Sequence, residues 1–145
     1  MKIDTTRFGK LEIEASDVLH FASGMIGMEG CRDWVLLADA NNDALGWMQC
    51  ISRPEVALAV VTPRRFVPEY QLRVPRSELA PLALAEVKEA KVLVIVGKNE
   101  RSITLNLKAP LVINLHDRIG CQVVASSEQP VQYELPQTQS LRKIA

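Results

Sequence analysis

The chain has 145 residues, 48% hydrophobic and 23% charged, which are the proportions of an ordinary globular domain. A chain of this length buries roughly 68–70% of its unfolded surface, enough for one core without disulfide or metal staples. Its 17 basic and 17 acidic residues cancel, which excludes a global field that would gather nucleic acid or an anionic membrane.

Taken in order, most segments read as strands. Over Lys10–Ala15, apolar Leu11 and Ile13 alternate with charged Lys10, Glu12 and Glu14, the pattern of a half-buried strand. Val18–Phe21, Trp34–Ala38 and Leu45–Ile51 follow. Val56–Thr62 and Lys91–Val96 are denser in apolar residues and predict more central strands. Gln71–Val74, Ser102–Leu107, Leu111–Leu115 and Gln122–Ala125 complete the set. Trp47 and Gln49 lie two apart and share a strand face, with Trp47 expected in the core.

The punctuation agrees with short strands. Asn41-Asn42-Asp43 marks a turn, Pro54, Pro63, Pro68 and Pro75 cut the middle, and Lys98-Asn99-Glu100 separates two strands at hairpin spacing. Such spacing predicts a β-barrel or sandwich. The helical candidate is Ser77–Ala90, with Ser77 as its cap and Pro81 as an interruption, so one or two short helical pieces are expected. Residues 1–125 form the expected domain. Residues 126–145, rich in Gln, form a polar tail that is either disordered or laid along a sheet edge.

Chemistry-bearing patterns are sparse. Gly24, Gly27 and Gly30 recur every third position, yet no Lys and no convincing helix follow them, so a demanding turn is favoured over a phosphate cradle. His20, His116 and three scattered cysteines lack the spacing of a metal site, and no metal or other cofactor is expected. Cys31, Cys50 and Cys121 form no C-x-x-C pair and suit buried thiols in a reducing, cytoplasmic compartment. No nucleophile elbow or marked triad occurs, so catalysis is not expected. No run reaches the roughly 18–20 apolar residues of a membrane span. Met1-Lys2-Ile3-Asp4 lacks the apolar core of a secretory signal.

Charge is nevertheless uneven. Arg53, Arg64, Arg65, Arg73 and Arg76 face only Glu55 and Glu69 between residues 53 and 76, while residues 29–43 carry four acidic residues against Arg32 alone. Two readings stay open, solvated loops or a partner surface of signed potential. An alternative function, direct RNA binding on a small barrel, would use Arg64, Arg65, Phe66 and Tyr70 as a stacking platform.

Six segments in order resemble the FliW family of flagellar assembly factors. They are Thr6-Arg7-Phe8-Gly9, Phe21-x-x-Gly24-x-x-Gly27-x-Glu29, Trp47-Met48-Gln49-Cys50, Pro54 through Val61, Pro63-x-x-Phe66-x-Pro68-x-Tyr70, and Thr104 through Asn114. The likeness runs from about Ile3 to Val124. It departs at Ala22, Ile26 and Met28, where the family usually carries prolines and a second aromatic, and in the tail. The resemblance implies a mainly β, small antiparallel barrel-like domain. It also implies two protein partners, flagellin and the RNA-binding translational repressor CsrA, and no direct contact with nucleic acid. In that family the factor holds cytosolic flagellin and, once flagellin is secreted, antagonises CsrA so that flagellin synthesis resumes.

Candidate contact residues follow from the motif segments. Asn106 and Lys108 are polar positions among apolar neighbours, readable as a strand-end pair meeting local backbone or as a partner patch. Glu29 is a loop-tip charge or an anchor for a basic partner. Phe66 and Tyr70 flank Pro68 as interface anchors or as a buried flap.

Overall fold

The computed structural model describes residues 1–136. The strands are β1 (Lys2–Thr5), β2 (Gly9–Glu12), β3 (Val18–Phe21), β4 (Asp33–Ala38), β5 (Gly46–Cys50) and β6 (Ala57–Val61). After a helical linker come β7 (Ala90–Lys98), β8 (Ile103–Leu105), β9 (Leu111–Asn114), β10 (Ile119–Gln122) and β11 (Tyr133–Glu134). Strands β7, β6, β5, β4, β3, β10 and β9 follow one another around a seven-stranded barrel, which closes because β9 also pairs with β7.

Closure depends on the length of β7. Its first half, Ala90–Leu93, pairs with β9, while Val96–Lys98 pairs with β8, which carries β11 on its outer edge. Among the described residues the expected antiparallel order holds at every pairing except one. β3 and β10 run parallel, with His20 opposite Ile119 and Phe21 opposite Gly120.

Strand alternation sorts the side chains. Leu19, Phe21, Trp34, Met48, Cys50, Val60, Leu93, Leu111 and Ile113 point inward and form the barrel core, plugged by Met25 and Cys31. On β6 and β7 the opposite face is buried too. Val61 and Val94 join Phe66, Val67, Tyr70, Leu105, Leu107 and Leu135 in a second core, which explains why those two strands read as near-continuous apolar runs.

The expected strand at Lys10–Ala15 appears as β2, which ends at Glu12, and it pairs with β1, a strand the sequence pattern did not mark. The hairpin lies over the outer face of β4 and β5. Ile3 and Ile13 pack there with Val35, Leu37 and Ile51. This corrects the expectation for Trp47. It shares a face with Gln49, but that face is outside the barrel, where Phe8 meets the indole edge-on at 5.8 Å and the Arg7 guanidinium lies 4.2 Å above it. Gln49 is the fully buried member of the pair.

Other boundaries moved for local reasons. Gln71–Val74 is extended but joins no sheet, since Leu72 and Val74 pack against the Leu82–Val112–Val123 cluster. Ladder bonds continue past β10 through Val123 N–H to Pro110 O and Ala125 N–H to Lys108 O. Pro110 has no N–H to return, so regular pairing ends there. In the linker, α1 (Arg76–Leu79) is followed by 3-10 turns at Ala80–Leu82, which holds Pro81, and at Val87–Glu89. Pro75, not Ser77, stands at the helix N-cap and makes no side-chain cap bond. Beyond residue 125, Tyr133 and Glu134 return to the edge of β8 and Leu135 is buried. The rest of the expected tail, 137–145, lies outside the described residues.

Candidate functional site

The glycine-spaced loop leaves β3 in a tight turn. Gly24 has φ +66° and its N–H donates to Phe21 O at 2.9 Å. A Cβ at Gly24 would stand 2.5 Å from the Glu29 carbonyl oxygen, so the loop folds back here only because the residue is glycine. Met25 then drops into the barrel, and Met25 and Met28 exchange backbone hydrogen bonds at 3.3 and 2.8 Å. Ile26 is left at the tip, 60% exposed. Glu29 is exposed, with its carboxylate accepting from Gly27 N–H at 2.9 Å.

One side chain ties this loop to the most specific motif. Gln122, on β10, accepts from Ile26 N–H through Oε1 at 2.8 Å and donates through Nε2 to Ala109 O at 3.0 Å. Asn106 Oδ1 in turn accepts from the N–H groups of Lys108 (3.2 Å) and Ala109 (3.0 Å), shaping the turn after β8. Lys108 is half-buried and its Nζ donates to Ser127 O at 3.1 Å. Ala125 N–H donates to Lys108 O at 2.7 Å, which sets Val124, 52% exposed, beside the same turn. Glu29, Asn106 and Lys108 thus belong to one hydrogen-bonded surface.

Phe66 and Tyr70 do not join that surface. They are 3% and 4% exposed and sit in the second core. Tyr70 still reaches the motif from inside, where its hydroxyl donates to Leu107 O at 2.8 Å, and burial pushes its pKa up to about 12. With both rings inside, the Arg64–Arg65–Phe66–Tyr70 segment offers no aromatic face for stacking a base. Sequence reasoning missed Gln122, Ile26 and Val124. A glutamine at a strand end and two aliphatics in apolar surroundings carry no signal until the fold shows what they meet.

Electrostatics around the surface are local. Asp33 meets His20 at 2.7 Å, Asp43 meets Arg65 at 3.1 Å and Glu55 meets Arg53 at 3.4 Å. The Trp47 N–H, 3.0 Å from Asp39, holds that carboxyl below its ordinary range. Burial raises the Cys31 thiol and pushes Cys121 up to about 11, the opposite of the shift that makes a cysteine nucleophilic. Among the described residues no group of three or more His, Cys, Asp or Glu converges, and no helix is long and apolar enough to cross a membrane.

Comparison with known proteins agrees with this architecture. The family described as FliW protein matches residues 2–135. The flagellar assembly factor FliW of Bdellovibrio bacteriovorus is 34% identical over 126 residues, covering 86% of this chain and 72% of that protein. Its counterpart in Moorella thermoacetica is 35% identical over 127 residues, covering 86% and 80%. The one in Leptospira interrogans is 30% identical over 131 residues, covering 88% and 87%. A crystal structure of the flagellar assembly factor FliW superposes with a TM-score of 0.86 at 26% identity, over 94% of this chain and 98% of that one. A match to nearly the whole barrel, by sequence and by structure, leaves one conclusion: this chain belongs to the FliW family of flagellar assembly factors.

Proposed function

We propose that this chain is a cytoplasmic partner switch that acts by binding proteins and not by catalysis. It holds flagellin while flagellin is abundant in the cell. When flagellin is exported, the freed chain binds CsrA and relieves its repression of flagellin synthesis. Mutually exclusive binding lets the free concentration of one partner set the supply of the other by mass action.

The observation that carries this reading is the Gln122 bridge. It joins the glycine loop and the 106–109 turn, two motif segments far apart in sequence, into one surface on a rigid barrel. That surface offers exposed Ile26 and Val124 with Glu29 and Lys108 nearby, an apolar centre and charged rim of the kind protein interfaces use. Glu29, Asn106 and Lys108 are accordingly proposed as partner-binding positions. Phe66 and Tyr70 are proposed to support the motif turn from within.

Calorimetric titration with flagellin and with CsrA from the same organism tests the reading. Binding to each is expected, and no measurable heat with either would sink the proposal. Ile26→Asp is expected to weaken at least one complex by about tenfold or more, the scale of an interface anchor. Its thermal midpoint should stay near that of the parent, because the side chain is exposed. Lys108→Glu should act in the same direction more weakly, since rim charges contribute under about 1 kcal/mol.

A further inference from the structure

A second surface is lined by residues other than those joined by the Gln122 bridge. A groove of about 980 Å³ runs between the extended 71–75 segment, the helical linker and the start of β7. Its floor is apolar, formed by Leu72, Val74, Val92 and Val112, and Val87 on its rim is 75% exposed. The rest of the rim is cationic. Arg64, Arg73, Arg76, Lys88 and Lys91 line it, and no Asp or Glu does.

These charges are poorly compensated. Lys88 pairs with Glu86 at 3.0 Å. Arg64 is directed by its Nε–H to Tyr70 O, Arg73 reaches the Gln71 amide oxygen, and Lys91 reaches the Thr62 hydroxyl. Among the described residues no carboxylate forms an ion pair with Arg64, Arg73, Arg76 or Lys91. The arginine excess seen between residues 53 and 76 therefore separates. Arg53 and Arg65 are spent on Glu55 and Asp43, while the other three converge on this groove.

An apolar floor under cations that, Lys88 apart, form no ion pair with a described carboxylate fits one kind of occupant better than others. RNA would use the charges but would find no exposed aromatic ring among the described lining residues, since Tyr70 is buried. A neutral apolar segment would leave the cations uncompensated. We propose that the groove docks an acidic amphipathic segment of a partner protein, with its apolar side chains on Leu72, Val74 and Val112 and its carboxylates beside Arg73, Arg76 and Lys91. Charge complementarity of this kind governs orientation and encounter rate as well as affinity.

The test uses the full chain, isotopically labelled for amide NMR. Three probes are titrated: a short synthetic peptide of Glu, Asp, Leu and Val, the same peptide with Lys and Arg in place of the acids, and single-stranded oligouridine. The acidic peptide is expected to shift amides of residues 62–64, 72–76 and 87–92 and to bind at least about tenfold more tightly than the basic one. Arg73→Glu with Arg76→Glu should reverse that preference. If that variant misfolds, visible as a collapsed spectrum, Arg73→Gln with Arg76→Gln should abolish the preference instead. Equal affinity for the two peptides, no shifts at millimolar peptide, or shifts outside the groove would overturn the proposal. So would tighter binding of oligouridine at the groove, which would assign it to nucleic acid.

Discussion

Gly120→Ala is expected to destabilise the protein by about 1–3 kcal/mol, the usual cost of overpacking a filled core. A Cβ at this position would lie 2.5 Å from Phe21 Cζ and 2.6 Å from Cε1, and the Phe21 ring is 0% exposed. The ring cannot simply swing away, because Leu19, Trp34, Met48 and Ile113 belong to the same packed cluster. Gly120 and Phe21 are also register partners in the one parallel pairing among the described residues, so relief by strand movement would open the barrel between β3 and β10. Urea unfolding measures the loss as a lower midpoint at unchanged slope. Adding Phe21→Leu, which shortens the clashing side chain, should recover part of that loss. An alanine variant as stable as the parent would show that Gly120 does not control the fit of β10 against β3.

Gln49→Glu is expected to be at least as damaging, by about 3–5 kcal/mol at neutral pH, the scale for a buried charge left without a partner. Gln49 is 0% exposed and its Nε2 donates to the carbonyls of Cys50 (2.9 Å), Val56 (3.1 Å) and Pro54 (3.2 Å). A carboxylate there would face acceptors with nothing to donate. Burial among carbonyls raises the new carboxyl's folded pKa above its unfolded value of about 4.3. The variant's stability is therefore best below that pH, where both states are protonated, and falls as pH rises from there toward the folded pKa. Gln49→Leu should cost far less, about 1 kcal/mol or under. Pro54 O and Val56 O keep backbone donors from Thr6 and Cys50, and the unpartnered Gln49 Oε1 disappears with the amide. Chemical unfolding at pH 4 and pH 7 separates the two variants. A pH-independent glutamate variant would contradict this account.

These two positions show where the sequence was readable. Val18–Phe21 was legible with its boundaries, a short apolar-rich run that the glycine-spaced loop after it cuts off. The apolar density of β6 and β7 was legible as burial on both faces. The parallel β3–β10 pairing was not, because it rests on a glycine and an aromatic far apart in the chain whose fit only the closed barrel creates. Trp47 misled for a related reason. Period-2 alternation tells which residues share a face, but which face is inside depends on what covers the other one, and here the β1–β2 hairpin does.

The candidate surface was half legible. Asn106 and Lys108 stood out as polar positions in an apolar run, and Glu29 as the end of a glycine loop. Nothing in the sequence links them, since the link is the Gln122 amide reaching backbone on both sides. Phe66 and Tyr70 have the composition of interface anchors, but the prolines around them fold the segment inward over β6 and β7. Both rings are buried in the second core, and Tyr70 holds the motif segment from inside through its hydroxyl on Leu107 O.

The most direct test of the proposed switch is a displacement measurement. Labelled CsrA, saturated with this chain, is titrated with flagellin while release is followed by fluorescence anisotropy. The account predicts that flagellin displaces CsrA completely as it occupies the chain. A stable assembly of all three proteins, or a chain that binds neither partner, would contradict it.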